Sequence, residues 1–177
     1  MTKAGGEMGR TYDHIRAEQP EDSLTIDEVV RQAFGQEDEV TLVRALRDGG
    51  LNLLSLVATS QQQIVGHLLF TRLTIVGADH TWPAVALAPL AVLPTKQRCG
   101  IGSALMQAGL QQLTGQGEKI VVVLGHDHFY AKFGFTAAAA LPLLASFSGP
   151  AWMALALVPG ALDGVRGKVK YSAPFGC

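Results

Sequence analysis

Gln97, Gly100 and Gly102 stand as Gln-x-x-Gly-x-Gly inside "TKQRCGIGSALMQAGL", between an apolar run that closes at Pro94 and a helical pattern. The chemistry open to such a turn is anion binding. The first N–H groups of a helix lack intrahelical partners, and the helix dipole places partial positive charge on them. Glycine lets a phosphate come up to the backbone with no Cβ in the way. Two phosphate loops are excluded. A P-loop requires Gly-Lys-Ser/Thr after its second glycine, whereas Gly102 is followed by Ser103 and Ala104; a dinucleotide fingerprint requires a small residue where Leu105 stands and an acid after the next strand, whereas Glu118 precedes it. Arg98 adds a cation to the turn. Cys99 adds a thiol at a helix start, where a thiolate is stabilised, although a small residue tolerated in a loop is the favoured reading. Downstream, "FYAKFGF" carries Tyr130, a phenol whose ordinary pKa of about 10 keeps it protonated and able to donate at neutral pH. His126, Asp127 and His128 stand beside it, and Glu39 and His67 lie upstream. Each of the five could serve as a base, and each has a plainer reading: Glu39 as a solvated helix carboxylate, His67 as a satisfied strand histidine. Adjacent residues on one loop seldom converge on one ion, so no metal site is expected.

These residues need elements to position them. Tyr12 to Ala17 reads as a short first strand. Ile26, Val29, Val30 and Ala33 fall at helical spacing, with Thr25 and Glu28 as a capping box. A second helix runs from about Asp38 to Arg47, with Val40, Val43 and Leu46 inward and "DGG" as its stop. "LLSLVATS" and "QQIVGHLLFTRLTIVG" form a hairpin across Ser60, Gln61 and Gln62. A loop near Gly77 to Pro83 leads to "AVALAPLAVLP", apolar throughout and so a strand buried on both faces. Pro89 within it removes a ladder donor, which predicts an irregular middle. The helix after the turn spans about Gly100 to Leu113, with Ile101, Leu105, Ala108 and Leu113 inward. "EKIVVVLG" is a buried strand, "DHFYAKFGF" a short helix stopped at Gly134, and "WMALALV" the last strand.

Composition bounds the answer. The 177 residues fit one domain, with residues 1–10 as a flexible lead and 11–177 as a single folded unit. Lys plus Arg total 14 against 15 for Asp plus Glu, so no global positive field gathers nucleic acid or an anionic membrane. Apolar residues make up 48% and charged ones 16%, which argues for a generously buried sheet or a self-associating surface, and leaves a homodimer open. Cys99 and Cys177 make neither a zinc spacing nor a disulfide framework, which fits a cytoplasmic protein. No run is long enough to span a membrane.

The glycine turn between an apolar strand and an amphipathic helix resembles the acyl-CoA pyrophosphate loop of the GNAT superfamily of N-acetyltransferases. "LAPLAVLPTKQRCGIGSALMQAGL", "VVVLGHDHFYAKFGF", "AWMALALVPGAL", "IVGHLLF" and "EVTLVRALRDGG" are similar, in order, to its YhbS-like subgroup. The resemblance implies an α/β (α+β) fold, the GNAT acyl-CoA N-acyltransferase fold, with a mixed sheet of about seven strands flanked by about four helices. It implies that the strand Val85 to Leu93 splays from Ile120 to Leu124, with backbone groups of Leu90, Ala91 and Val92 free to pair with the pantetheine arm of acetyl-CoA. The diphosphate would rest on Gln97, Arg98, Cys99, Gly100, Ile101, Gly102 and Ser103. Tyr130 matches the family's general acid, and a backbone N–H near Leu90 or Ala91 would hold the oxyanion. Cys99 departs from the Arg or Lys common at its position. The function implied is transfer of an acetyl group from acetyl-CoA to an amine acceptor, without a metal; the alternatives are a non-catalytic acyl-CoA sensor and a scaffold keeping only the fold. The general base stays open among Glu39, His67, His126, Asp127, His128 and water.

Overall fold

The computed structural model describes residues 11–176, so the flexible lead assigned to residues 1–10, and Cys177, lie outside the described residues. Strand β1 is His14–Ala17, followed by helices α1, Ser23–Phe34, and α2, Asp38–Asp48. Strands β2, Asn52–Ser60, β3, Gln63–Val76, and β4, Thr81–Val92, make an antiparallel meander. Helix α3, Ile101–Gly115, crosses over to β5, Ile120–Leu124, which lies parallel to β4. Then come α4, Asp127–Tyr130, α5, Ala137–Ala140, β6, Leu143–Leu144, β7, Trp152–Ala156, and β8, Gly167–Lys170. Among the described residues the eight strands form one mixed sheet, β1-β2-β3-β4-β5-β7, with β8 beside β3 and β6 beside β8.

Two sequence expectations are corrected. The first helix begins at Ser23, two residues before Thr25, because a 3-10 turn at Pro20–Asp22 leads into it; the capping box is Gln19 with Asp22, and Thr25 and Glu28 lie inside the helix. "WMALALV" holds β7 but is not the last strand. Past Thr71, which pairs with Asn52 at the start of β2, β8 takes that lane along β3, pairing Lys168–Lys170 with Thr74–Val76.

The hairpin turn falls where expected. Gln61 and Gln62 both have positive φ, 50° and 64°, as the tight turns that follow strand twist require. The Asp13 carboxylate accepts the Gln61 N–H at 2.6 Å.

Each face of the sheet is covered by helix. On one face Leu105, Met106 and Leu113 of α3 pack against Leu56, Leu68, Phe70 and Val85. Fully burying a side chain such as Leu105 contributes roughly 1.5–3 kcal/mol. The inward stripe is wider than expected: Met106 is buried and Gly109 faces the sheet, with its ideal Cβ position 2.6 Å from the Phe70 ring, so α3 sits close enough that only glycine fits. On the opposite face Ile26, Val30, Val43 and Leu46 of α1 and α2 cover Val57, Leu69 and Ala91. Farther along that face, Ala140 and Leu143 cover Ala84, Ala86 and Val122.

Candidate functional site

Strands β4 and β5 pair at only two registers, Val85 with Val121 and Ala86 with Val122. Beyond Ala86 they part, while β4 stays zipped to β3 as far as Val92 opposite Gly66. The local cause is legible. The register against β3 slips between Leu87 and Leu90, so β4 carries an extra residue across Ala88 and Pro89. A bulge bends its strand away from a neighbour, and Pro89 has no N–H to offer a ladder.

Strand geometry sorts the three backbone positions expected beside the parting. Leu93 N–H donates to Val65 O at 2.9 Å, across the β3 side. Peptide groups alternate in direction along an antiparallel strand, so Ala91 also faces β3, and Leu90 and Val92 face the parting. The ladder therefore uses Ala91. Val92 O accepts a bond from Gln97 Nε2 at 3.1 Å, so the Gln97 side chain turns back onto the strand.

The glycine turn closes the end of this parting. Arg98 has φ 59° and Gly100 φ 82°, both left-handed. The first bond inside α3 runs from Ala104 N–H to Gly100 O at 3.0 Å, so the amides of Ile101, Gly102 and Ser103 have no intrahelical acceptor. Within the protein a Cβ on Gly102 would make only ordinary contact, 3.6 Å from the Phe129 ring, so internal packing does not explain a glycine there. Cys99 is exposed, its Sγ 3.4 Å from Gln97 O, and its carbonyl accepts from Thr11 Oγ1 at 2.6 Å.

Past the end of β5, α4 carries Tyr130. Its side chain is buried, edge-on to Phe135 at 5.8 Å and to Phe129 at 5.1 Å. Phe129 thus packs against the tyrosine and against the core cluster that contains Ile101, the first residue of α3. A Cβ on Gly125 would lie 2.7 Å from Tyr130 Cε2, so glycine makes room for the ring. Among the described residues the phenol hydroxyl has no hydrogen bond to protein. Burial pushes its pKa up to about 12, which keeps the proton in place at neutral pH.

The five residues considered as bases do not converge. Glu39 accepts from Gln36 Nε2 at 3.0 Å on the outer surface of α2. His126 is exposed, and the Asp127 carboxylate accepts the His128 N–H at 2.8 Å, with the His128 side chain in solvent. Among the described residues no group of three His, Cys, Asp or Glu side chains could hold a metal ion. His67 is different. It is fully buried on β3, opposite Ala91, under α1 and α2.

Its partners were not singled out from the sequence. Ser55 Oγ donates to Glu18 Oε2 and lies 2.9 Å from His67 Nε2. Arg47 Nε donates to Glu18 Oε1 at 2.7 Å, and Arg47 also pairs with Asp27 at 3.6 Å. Arg44 Nε reaches Asp27 Oδ2 at 2.7 Å. Burial would raise the Glu18 pKa, but bonds from His67, Ser55 and Arg47 outweigh it and hold the carboxyl down at about 2. Burial lowers the His67 pKa below its ordinary value against the opposing pull of Glu18, so the ring is neutral at neutral pH. One signal was available in the sequence: Asp27 sits between Ile26 and Val29, within the inward stripe of α1.

A cavity of about 340 Å³ lies elsewhere, between Leu144, Ala145, Ser146, Lys168, Val169 and Tyr171. It adjoins β8, at the other end of β3 from the glycine turn, and none of the site residues above lines it.

Residues 14–138 match the family model described as an acetyltransferase (GNAT) domain. The chain is 37% identical over 164 residues to an uncharacterized N-acetyltransferase, YhbS, of Escherichia coli K12, covering 91% of this chain and 97% of that one. It is 40% identical over 116 residues, 64% of each chain, to a second such protein of that strain, YjhQ. The crystal structure of Escherichia coli YhbS in complex with CoA superposes with a TM-score of 0.87 at 34% identity, covering 97% of this chain and 96% of that one. A GNAT family acetyltransferase from Brucella melitensis in complex with acetyl-CoA gives 0.76 at 36% identity, covering 92% and 97%.

Proposed function

The chain belongs to the GNAT acetyltransferases, and from that premise we propose that it moves the acetyl group of acetyl-CoA directly to a primary amine, with Tyr130 as general acid. One observation carries the reading: the parting of β4 from β5, lined by the Leu90 and Val92 peptides, runs from the two paired registers to the amides at the start of α3 that have no intrahelical acceptor. A pantetheine arm along β4 would meet strand-like partners at Leu90 and Val92. The diphosphate would meet the turn from Gln97 through Ser103, with Gly100, Ile101 and Gly102 closest. That the two superposed relatives hold CoA and acetyl-CoA supports this placement.

Three charges must be managed. The acceptor ammonium loses a proton and its nitrogen attacks the thioester carbonyl carbon. The resulting oxyanion is held by the Leu90 N–H, a preorganised donor of the kind that carries much of acyl-transfer catalysis. As the C–S bond breaks, the departing thiolate takes the Tyr130 proton. The Tyr130 phenol, buried and without a hydrogen-bond partner among the described residues, suits that last step because its proton is uncommitted. Backbone amides supply most of the phosphate recognition, so Cys99 in place of a cation is tolerated.

Calorimetric titration with acetyl-CoA and with CoA, followed by thiol release from acetyl-CoA in the presence of pooled primary amines, tests the reading. Micromolar binding with amine-dependent release is expected. Binding with no release would favour an acyl-CoA sensor, and absence of binding would reduce the likeness to one of fold.

A further inference from the structure

The Glu18–Ser55–His67 chain fixes which imidazole nitrogen carries the proton. The Ser55 hydroxyl donates its one hydrogen to Glu18 Oε2, so toward His67 it can only accept. His67 Nε2 must then be the N–H, which leaves Nδ1 with a bare lone pair. Among the described residues Nδ1 is buried and has no hydrogen-bond partner, and the same holds for Arg47 Nη2 and for Asp27 Oδ1, whose 3.6 Å approach to Arg47 Nη1 is an ion pair too long for a hydrogen bond. Two orphan acceptors and one orphan donor match the capacity of a water molecule, which accepts from Arg47 and donates to His67 and Asp27. Buried waters typically make about three such bonds to groups that would otherwise go unsatisfied. The place matters as much as the chemistry. His67 sits on β3 directly across from Ala91, on the face covered by α1 and α2, and the Leu90 and Val92 peptides that flank Ala91 face the parting on the other edge of β4.

We propose that Asp27, Arg47 and His67 hold one buried water, and that His67 accepts through it the proton that the acceptor ammonium must lose. The inference rests on the transferase reading above. The step balances: an ammonium N–H bond breaks to the water, the water passes one of its own hydrogens to Nδ1, and the nitrogen keeps its electron pair for attack. The imidazolium so formed keeps Nε2–H on Ser55, with the Glu18 carboxylate behind it, and returns the proton by the same route after the product leaves. The charged groups facing the ring are Glu18 from the segment after β1, Asp27 from α1 and Arg47 from α2, with Arg44 behind Asp27. The two carboxylates favour the imidazolium, and Arg47 together with burial opposes it, which keeps the resting ring neutral and ready to accept. Ser55, Glu18 and Asp27 act as positioning residues.

The test uses the full chain, acetyl-CoA, and whichever pooled amine gives thiol release with the wild-type protein. His67→Gln is expected to bind acetyl-CoA with unchanged affinity, to lose about a hundred-fold in kcat, and to lose the acid limb of the kcat/KM profile. Ser55→Ala and Glu18→Gln, which leave the imidazole in place, should move that limb to lower pH. A His67→Gln protein with wild-type kcat and an intact acid limb would overturn the proposal. Should that variant fail to fold, an acid limb left unmoved by both Ser55→Ala and Glu18→Gln overturns it equally. If the wild-type protein binds acetyl-CoA yet releases thiol to no amine, the transferase reading is what fails, and the relay goes with it.

Discussion

On the α3 side of β4, the groups offered for chemistry are peptide amides and one buried phenol. On the α1–α2 side they are Glu18, Asp27, Arg47 and His67, joined through Ser55. The first arrangement depends on backbone shape, so it tolerates side-chain change at most positions and fails where shape itself changes. The second depends on each member satisfying the next, so its cost appears when one partner is removed and the others are left buried.

Tyr130→Phe tests the first side where it is least tolerant. Loss of a general acid is worth about a hundred- to ten-thousand-fold in turnover, and acetyl-CoA affinity by calorimetry should not change. Equal turnover would remove Tyr130 from the mechanism. Next is Gly100→Val. A branched residue forced to φ 82° strains the turn, and strain of about 1–3 kcal/mol should weaken acetyl-CoA binding roughly ten- to a hundred-fold; unaltered affinity would mean that the turn binds no phosphate.

The opposite side is probed by pH. The Glu18 carboxyl titrates at about 2 when folded against an ordinary 4.5, so its stabilisation is complete above pH 4.5 and is lost as pH falls through about 2. Glu18→Gln, which takes the nearer of its two carboxylates from Arg47, should cost about 1–3 kcal/mol at pH 7, and urea midpoints should show the gap to wild type closing across that acid window. A gap that persists at the acid end would mean that lost packing, and not the charge, set the cost. The smallest effect is expected of Cys99→Ala, within about two-fold in acetyl-CoA affinity as for most exposed substitutions; a larger loss would show that the thiol side chain takes part in the turn.

Local signals and distant ones were not equally legible in the sequence. Pro89 announced the irregular strand and the glycine spacing announced a turn at a helix start, because each effect is confined to its own few residues. The context of "FYAKFGF" pointed to Tyr130 through resemblance. By contrast β8 has lysines at two of its four positions and no run of branched or aromatic residues, so nothing marked it until β3 offered an edge. Which of the Leu90, Ala91 and Val92 peptides faces the parting was not legible either, because alternation along β4 is set by its ladder to β3. The Glu18 network was invisible for a related reason: its members come from β2, β3, α1, α2 and the segment after β1, and only the folded chain brings them together.

The two-rung junction between β4 and β5 also has a mechanical meaning. Among the described residues, six strands on one side, β1 to β4 with β8 and β6, and a β5–β7 pair on the other are stitched in the sheet by Val85–Val121 and Ala86–Val122 alone. A molecule lying in the parting and bonding to β4 would act as the missing length of seam. Acetyl-CoA would then be a structural member as well as a reactant, and the thermal midpoint of the chain would rise with its concentration, as linkage requires.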